Sequence, residues 1–207
     1  MTSSPTSPMP RWRFWLPLLA QLTLILGLPA QAMLTYLTGT TVILQTAPVD
    51  PYDVLRGYSQ TLNYNISLVD TLDDLPGWEA VEERSNREST DQAQASIPVY
   101  VVLEQPDADP TAEIPLAWQP VAIAPDLPRN LPDTQVVITG QLYYQQVTYG
   151  LERYYMPEDQ RDTINTEIME LNQEFGNEPP FVVEVRVRGN GYAVPISLWV
   201  GDRQYQF

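Results

Sequence analysis

The sequence predicts a mainly β fold: an antiparallel sandwich or barrel-like domain with one packed α-helix, preceded by an N-terminal transmembrane helix. Three observations favour this class. A long uncharged run lies near the N-terminus, most later segments are β-branched or alternate apolar and polar residues between Pro- or Gly-containing turns, and one stretch has helical periodicity. The 207 residues, 20 of them proline, suit one domain of short strands joined by rigid turns.

The first element is the apolar run. Arg11 and Arg13 precede an uncharged segment from Phe14 to Leu34, which is long enough to span a bilayer as a helix. The two arginines place the short N-terminal tail in the cytoplasm by the positive-inside rule, so the rest of the chain would be exported. The chain is therefore divided into a cytoplasmic tail at 1–13, a transmembrane helix at 14–37 and an exported β domain at 38–207.

A cleaved signal peptide is the alternative for the same run. The triplet Ala30-Gln31-Ala32 has the form of a signal-peptidase site, and cleavage after Ala32 would also export the domain. The retained anchor is favoured because apolar residues continue beyond this site, through Leu37.

Six regions of the exported domain are predicted to be extended, because they are β-branched or alternate with period two. They lie at 41–46, 61–69, 97–104, 114–124, 134–150 and 181–207. In the second region, Leu62, Tyr64, Ile66 and Leu68 fall on one face. The fifth is a long strand or a strand pair with Gly140 at a bend.

One helix is predicted within the domain, beginning at Pro157 and ending before Gly176, with an apolar face that packs on the sheet. That face consists of Ile164, Ile168, Leu171 and Phe175. The acidic, aperiodic stretch near 78–96 is instead expected to be a mobile excursion.

The composition removes most catalytic classes. Histidine, lysine and cysteine are absent, and the eleven basic residues are all arginine. This excludes the common serine and cysteine nucleophile mechanisms, disulfides, and thiolate or histidine metal sites. A net charge of −15 repels phosphate backbones, so nucleic-acid binding is not expected. The acidic residues at 70–74 and 107–109 do not have the spacing of a calcium loop, so neither a metal nor a cofactor is expected.

Two segments, LQTAPVDPYDVLRGYSQTLNYNI and YGLERYYMPED, resemble the two characteristic blocks of the GDYXXLXY family of bacterial membrane-anchored proteins. The matching positions of the first block are Asp50, Pro51, Asp53, Arg56, Gly57, Leu62 and Tyr64, and those of the second are Tyr149, Gly150, Glu152, Tyr155 and Pro157. Tyr58 and Ser59 stand where the motif has its aspartate and first tyrosine. The resemblance implies no particular activity, because the family is uncharacterised. It does imply a membrane neighbour, because members of the family are often encoded next to multi-span membrane proteins.

The residues of the first block also have a structural interpretation without the family. Asp53 can accept hydrogen bonds from nearby backbone amides, and Gly57 can take a positive φ, so that the chain reverses between two strands. Arg56 can pair with Asp50 or Asp53. We therefore expect this block to form a corner rather than a ligand site.

Two functions remain open. The favoured one is a membrane-anchored binding or accessory domain beside a multi-span membrane partner, in a bacterial cytoplasmic or internal membrane, with the C-terminal domain in the periplasm or lumen. The alternative is a carboxylate-dependent hydrolase of envelope glycan, in which Glu152 is the catalytic candidate. Its neighbours Tyr149, Tyr154 and Tyr155 could stack on a sugar ring or fill the core. The sequence favours binding over catalysis.

Overall fold

The computed structural model describes residues 12–46, 59–89, 95–107, 114–155, 166 and 181–206. The described residues do not include the predicted corner residues Asp50, Pro51, Asp53, Arg56 and Gly57. The helix predicted from Pro157 also lies outside them apart from residue 166, as does its apolar face.

A single long helix, α1 (Trp12–Thr38), precedes the β domain. It has 27 residues, so it is about 40 Å long. Most of its side chains are exposed, and the helix is long and apolar enough to cross a membrane. Pro17 and Pro29 lie within it without ending it. The predicted apolar N-terminal helix is therefore confirmed as a helix and as a candidate membrane span.

Ten strands and two short helices are described in the domain. The strands are β1 (Thr40–Gln45), β2 (Ser59–Thr61), β3 (Ile97–Glu104), β4 (Gln119–Ala124), β5 (Gln135–Tyr143), β6 (Gln146–Thr148), β7 (Arg153–Tyr155), β8 (Phe181–Val187), β9 (Ala193–Val200) and β10 (Arg203–Gln206). The helices are α2 (Val69–Leu72) and α3 (Trp78–Glu88), and a 3-10 turn spans Asn65–Ser67.

The strands form two four-stranded antiparallel sheets and one small ladder. The first sheet has the order β1-β8-β9-β10, the second β4-β3-β5-β6, and β2 pairs with β7. Inward residues of both sheets share one core. They include Val42 and Val185 from the first sheet and Val101 and Ile138 from the second, all fully buried. The predicted mainly β, antiparallel class is confirmed, as is the C-terminal meander.

The region 61–69 is not the predicted continuous strand. After β2 the chain enters the 3-10 turn, in which the amide of Ser67 donates to the carbonyl of Tyr64 at 2.8 Å. Leu62, Tyr64 and Ile66 are buried as the alternation predicted. The turn interrupts the period of two, and Leu68 is consequently 45% exposed.

The expectation of an irregular excursion at 78–96 is wrong for its first part, because Trp78–Glu88 form α3. Trp78, Val81 and Ser85 are spaced to share one face, and Val81 is fully buried. Gly77 precedes the helix with φ +95°, and a Cβ there would lie 1.9 Å from the carbonyl oxygen of Ile123. The helix was missed because one fully buried apolar side chain is too weak a periodic signal.

The fifth predicted region is a strand pair, β5 and β6, joined by a two-residue turn at Tyr144 and Gln145. Gly140 lies in regular register opposite Val99, so it does not mark the predicted bend. A Cβ at Gly140 would approach Val147 Cγ1 to 2.4 Å. The glycine is needed because neighbouring side chains pack directly against its backbone.

Candidate functional site

The two motif blocks meet in space. In the β2–β7 ladder, Ser59 lies opposite Tyr155 and Thr61 opposite Arg153. The contact continues beyond the ladder, since the amide of Leu62 donates to the carbonyl of Glu152 at 2.7 Å. We call residues 59–67 together with 149–155 the motif junction. Tyr155 belongs to it through its backbone.

Tyr64 is the centre of the motif junction. Its side chain is fully buried, and its hydroxyl donates to the carbonyl of Leu151 at 2.8 Å. Its backbone forms a bridge with Thr46, directly after β1. Thr46 in turn donates through both its amide and its hydroxyl to the carbonyl of Phe181, at 3.1 and 2.9 Å. Tyr64 thus connects the second motif block to the first sheet.

Residues Tyr149 to Glu152 form a tight turn that faces the first block. Gly150 has φ +75°, a left-handed conformation that favours glycine, with open space around its Cα. The carboxylate of Glu152 accepts a hydrogen bond from the amide of Tyr149 and so closes the turn. The hydroxyl of Tyr149 donates to the carbonyl of Ile66 at 2.6 Å. Each block therefore supplies one tyrosine hydroxyl that donates to the other block and one backbone carbonyl that accepts from it.

The electrostatics of the junction keep both tyrosines neutral. Burial raises the pKa of Tyr64 far above its usual value, and the nearby charge of Glu152 raises that pKa further. The pKa of Tyr149 is raised by the same two causes in the same order. A neutral hydroxyl can donate to a backbone carbonyl, whereas a phenolate cannot. Both hydroxyls are accordingly fixed as donors.

The geometry gives Glu152 a structural task. Its side chain is half-buried and is engaged by the turn that it belongs to. Among the described residues, no group of three or more acidic side chains is close enough to hold a metal ion. The arrangement supports the interpretation of Glu152 as a residue that stabilises a turn.

A cavity of about 390 Å³ lies beside the junction, between the end of β1, the 3-10 turn and the start of β4. Its walls include Thr46, Asn65, Ile66 and Trp118, and the residues that line it are all uncharged. A second cavity, of about 370 Å³, lies between α3 and the β5–β6 turn. Its walls combine carboxylates and aromatic rings: Asp73, Glu82, Trp78 and Tyr144.

The structure brings together five of the motif residues singled out in the sequence. They are Leu62, Tyr64, Tyr149, Gly150 and Glu152. The pairing of the two blocks was missed, and with it the acceptor roles of Ile66 and Leu151. A signal was available: each block carries a tyrosine beside short extended segments, which is typical of paired strands. The α3 cavity was missed because α3 itself was missed.

These features define a class of protein: an antiparallel β domain on a candidate membrane anchor. The apolar helix leads directly into a two-sheet domain, and the motif junction around Tyr64 joins its parts. The particular family follows from comparison. The family model described as GDYXXLXY protein matches residues 21–198, and the chain belongs to that family. Comparison with curated proteins gave no match, and comparison with solved structures gave none either.

Proposed function

We propose that this protein is a single-pass membrane protein whose exported domain acts by binding, as an accessory subunit of a multi-span membrane protein. The observation that carries this proposal is the junction between α1 and the first sheet. The apolar helix passes into β1 through one residue, Gly39. A domain held this close to the bilayer can reach only partners in, or directly above, the same membrane.

The end of α1 is integrated into the fold. Thr35 is fully buried, and its carbonyl accepts the amide of Gly39 at 2.8 Å. The guanidinium of Arg186 in β8 donates to the carbonyl of Gly39 at 2.9 Å. A Cβ at Gly39 would lie 2.6 Å from the carbonyl oxygen of Thr35, so the close approach requires glycine. The helix is therefore joined to the domain by packing and not by a loose linker, which favours an anchor over a disposable leader.

The proposed orientation of the chain in the membrane is argued from the charges that flank the apolar run. Arg13 is the charged residue next to the apolar run, and the following charge in the sequence is Asp50. Positive residues are retained on the cytoplasmic side, which directs the acidic domain to the periplasm or lumen. A binding role is favoured over catalysis because the chain has no histidine, lysine or cysteine and because Glu152 is used by its own turn.

Fractionation with intact-mass measurement tests the anchor. We expect the mature chain to keep residues 1–32 and to remain in the membrane fraction after alkaline carbonate washing. A soluble chain that begins at Met33 would overturn the proposal. The variant Ala32→Leu, which disrupts the A-x-A triplet, is the matched control, since an anchored protein should be unaffected by it.

Purification in a mild detergent tests the accessory role. We expect a multi-span membrane protein to copurify in fixed stoichiometry. A chain in which residues 14–29 are replaced by an unrelated apolar helix separates two contributions, because the domain and its docked helix end are unchanged. Retention of the partner by this variant assigns binding to the domain. Repeated recovery of the wild-type chain by itself would contradict the accessory role.

A further inference from the structure

We propose that the β8–β9 hairpin binds lipid phosphate groups at the membrane surface from which the domain emerges. We call Arg186 together with residues 188–192 the hairpin edge. The inference rests on the proposed retention of α1 in the membrane, and it adds a second, polar contact between the domain and the bilayer.

The position of the hairpin edge follows from the strand register. Thr40, two residues after the end of α1, lies opposite Val187 in the antiparallel pair of β1 and β8. Directly opposite residues are about 5 Å apart, so the hairpin begins beside the end of the helix. Helix α1 also contacts β8 and β9. The predicted membrane segment at 14–37 is about 36 Å long as a helix, slightly more than the thickness of the hydrocarbon core, so its last residues and Thr38 reach the headgroup layer.

The charge of this region is opposite to that of the whole molecule. The protein carries a net charge of −15, yet residues 14–49 contain no charge and residues 185–200 contain two, Arg186 and Arg188. No acidic side chain forms an ion pair with Arg188 in the part of the chain that the structure describes. A guanidinium binds phosphate through a planar fork of N–H donors. The hairpin edge is therefore complementary to lipid phosphates.

The hairpin edge is also rigid and has an interfacial aromatic residue. The carbonyl of Gly191 accepts the amide of Thr139 in the second sheet at 2.9 Å, and the carbonyl of Asn190 accepts the hydroxyl of Thr139 at 3.2 Å. Tyr192 is 38% exposed. Tyrosine is enriched at membrane interfaces because its ring is apolar and its hydroxyl is polar. The edge thus presents guanidinium and phenol groups from a fixed backbone.

The other turn of the same meander supplies an internal comparison. The β9–β10 turn contains Gly201 and Asp202, next to Val200, which lies opposite Phe181. Phe181 and Val187 are six residues apart on β8, about 20 Å along the strand. The two turns therefore lie at opposite ends of one sheet. One carries two arginines beside the anchor, and the other, distant from it, has Asp202 next to Arg203.

Fluorescence quenching in vesicles tests the inference. The chain has no cysteine, so a single one can be introduced and labelled at either turn. Gly189 is suitable because a Cβ there has no neighbour within 4 Å, and exposed Asp202 is the matched position. The full-length variants G189C and D202C are reconstituted in vesicles that contain phosphatidylglycerol and a headgroup-labelled quencher lipid. We expect strong quenching at position 189 and weak quenching at position 202. Equal quenching at the two positions would overturn the inference.

Charge variants identify the ligand as phosphate. Arg188→Gln in the G189C background should lower the preference of the hairpin for phosphatidylglycerol over phosphatidylcholine by about fivefold, which is the usual weight of one arginine near an anionic surface. Arg129→Gln makes the same charge change at an exposed loop outside the hairpin edge and should have no effect. An unchanged preference in R188Q overturns the inference even if the anchor holds. Release of the wild-type chain from vesicles by carbonate would instead overturn the proposed function.

Discussion

The motif junction and helix α3 are both attached to the sheets, but by opposite means. The junction uses the buried hydrogen bond from the hydroxyl of Tyr64 to the carbonyl of Leu151, and Tyr64 has no exposed surface. Helix α3 uses one fully buried side chain, Val81, and an ion pair between Arg84 and Asp126 whose side chains are 30% and 79% exposed. The difference teaches that the described residues of the motif junction are held by buried hydrogen bonds, whereas α3 carries its charged side chains on a more loosely attached surface.

The largest effect is expected at Tyr64. Tyr64→Ala removes a fully buried ring and its hydrogen bond to Leu151, and should lower the free energy of unfolding by about 3–5 kcal/mol. Urea denaturation of the detergent-solubilised full chain, followed by circular dichroism, measures this. Tyr143→Ala is the control, because that ring is 51% exposed and should cost less than about 0.5 kcal/mol. If Tyr64→Ala lowers the free energy of unfolding no more than Tyr143→Ala does, the motif junction does not stabilise the fold.

The second largest effect is expected from alkaline pH, which should lower the free energy of unfolding through the two junction tyrosines. The pKa values of Tyr64 and Tyr149 are raised in the folded state, so their stabilising effect is full below the unfolded value and is lost as the pH rises above it. Above about pH 10, each tyrosine should reduce the free energy of unfolding by about 1.4 kcal/mol per pH unit. The absence of lysine and cysteine simplifies the titration. Tyr64→Phe should make this loss with pH shallower, and an unchanged slope would contradict the assignment.

A smaller effect is expected at Gly150. Its φ of +75° is unfavourable for a residue with a side chain, so Gly150→Ala should cost about 1–2 kcal/mol although the space around it is open. Gly189→Ala is the control, because it also has open space and its φ is not positive. Thermal unfolding of the two variants separates backbone strain from steric contact. Equal melting temperatures would argue against a strained turn in the second block.

The smallest effect is expected at the ion pair of α3. Asp126→Asn removes the charge that Arg84 contacts at 3.0 Å, but the pair is exposed, so the cost should be at most about 1 kcal/mol. The residual effect should diminish in high salt. Val81→Ala, on the same helix, should cost more because its side chain is fully buried. A larger loss from D126N than from V81A would mean that α3 is held by charge.

Much of the fold could be predicted from the sequence. Uncharged length identified α1, and alternation identified β3, β5 and β8, because those strands have one face in the core. Periodicity failed at Leu68, where a 3-10 turn ends the alternation, and at α3, which has too few apolar residues to show a face. Both failures are cases in which tertiary contacts, not local pattern, determine the backbone.

The candidate site was less predictable. Glycine at 150 and tyrosines at 64 and 149 could be recognised as unusual, but their contacts join residues more than eighty positions apart. Sequence spacing carries no information about such distances without a topology. Glu152 shows the limit most clearly, since a carboxylate among tyrosines fits either an active site or a turn, and its hydrogen bond to the amide of Tyr149 is visible only in the structure.

The order of the strands has a consequence for crowding. Proteins confined to a membrane meet each other more often than freely diffusing ones. An edge strand with unpaired backbone groups can then pair with the edge strand of a neighbouring copy. Here the borders are blunted: β4 contains Pro120, β6 and β10 have three and four residues, and Ile43 in β1 already accepts the amide of Trp118. Under the proposed anchoring, dense packing in the plane of the membrane should therefore be tolerated without fibril-like stacking.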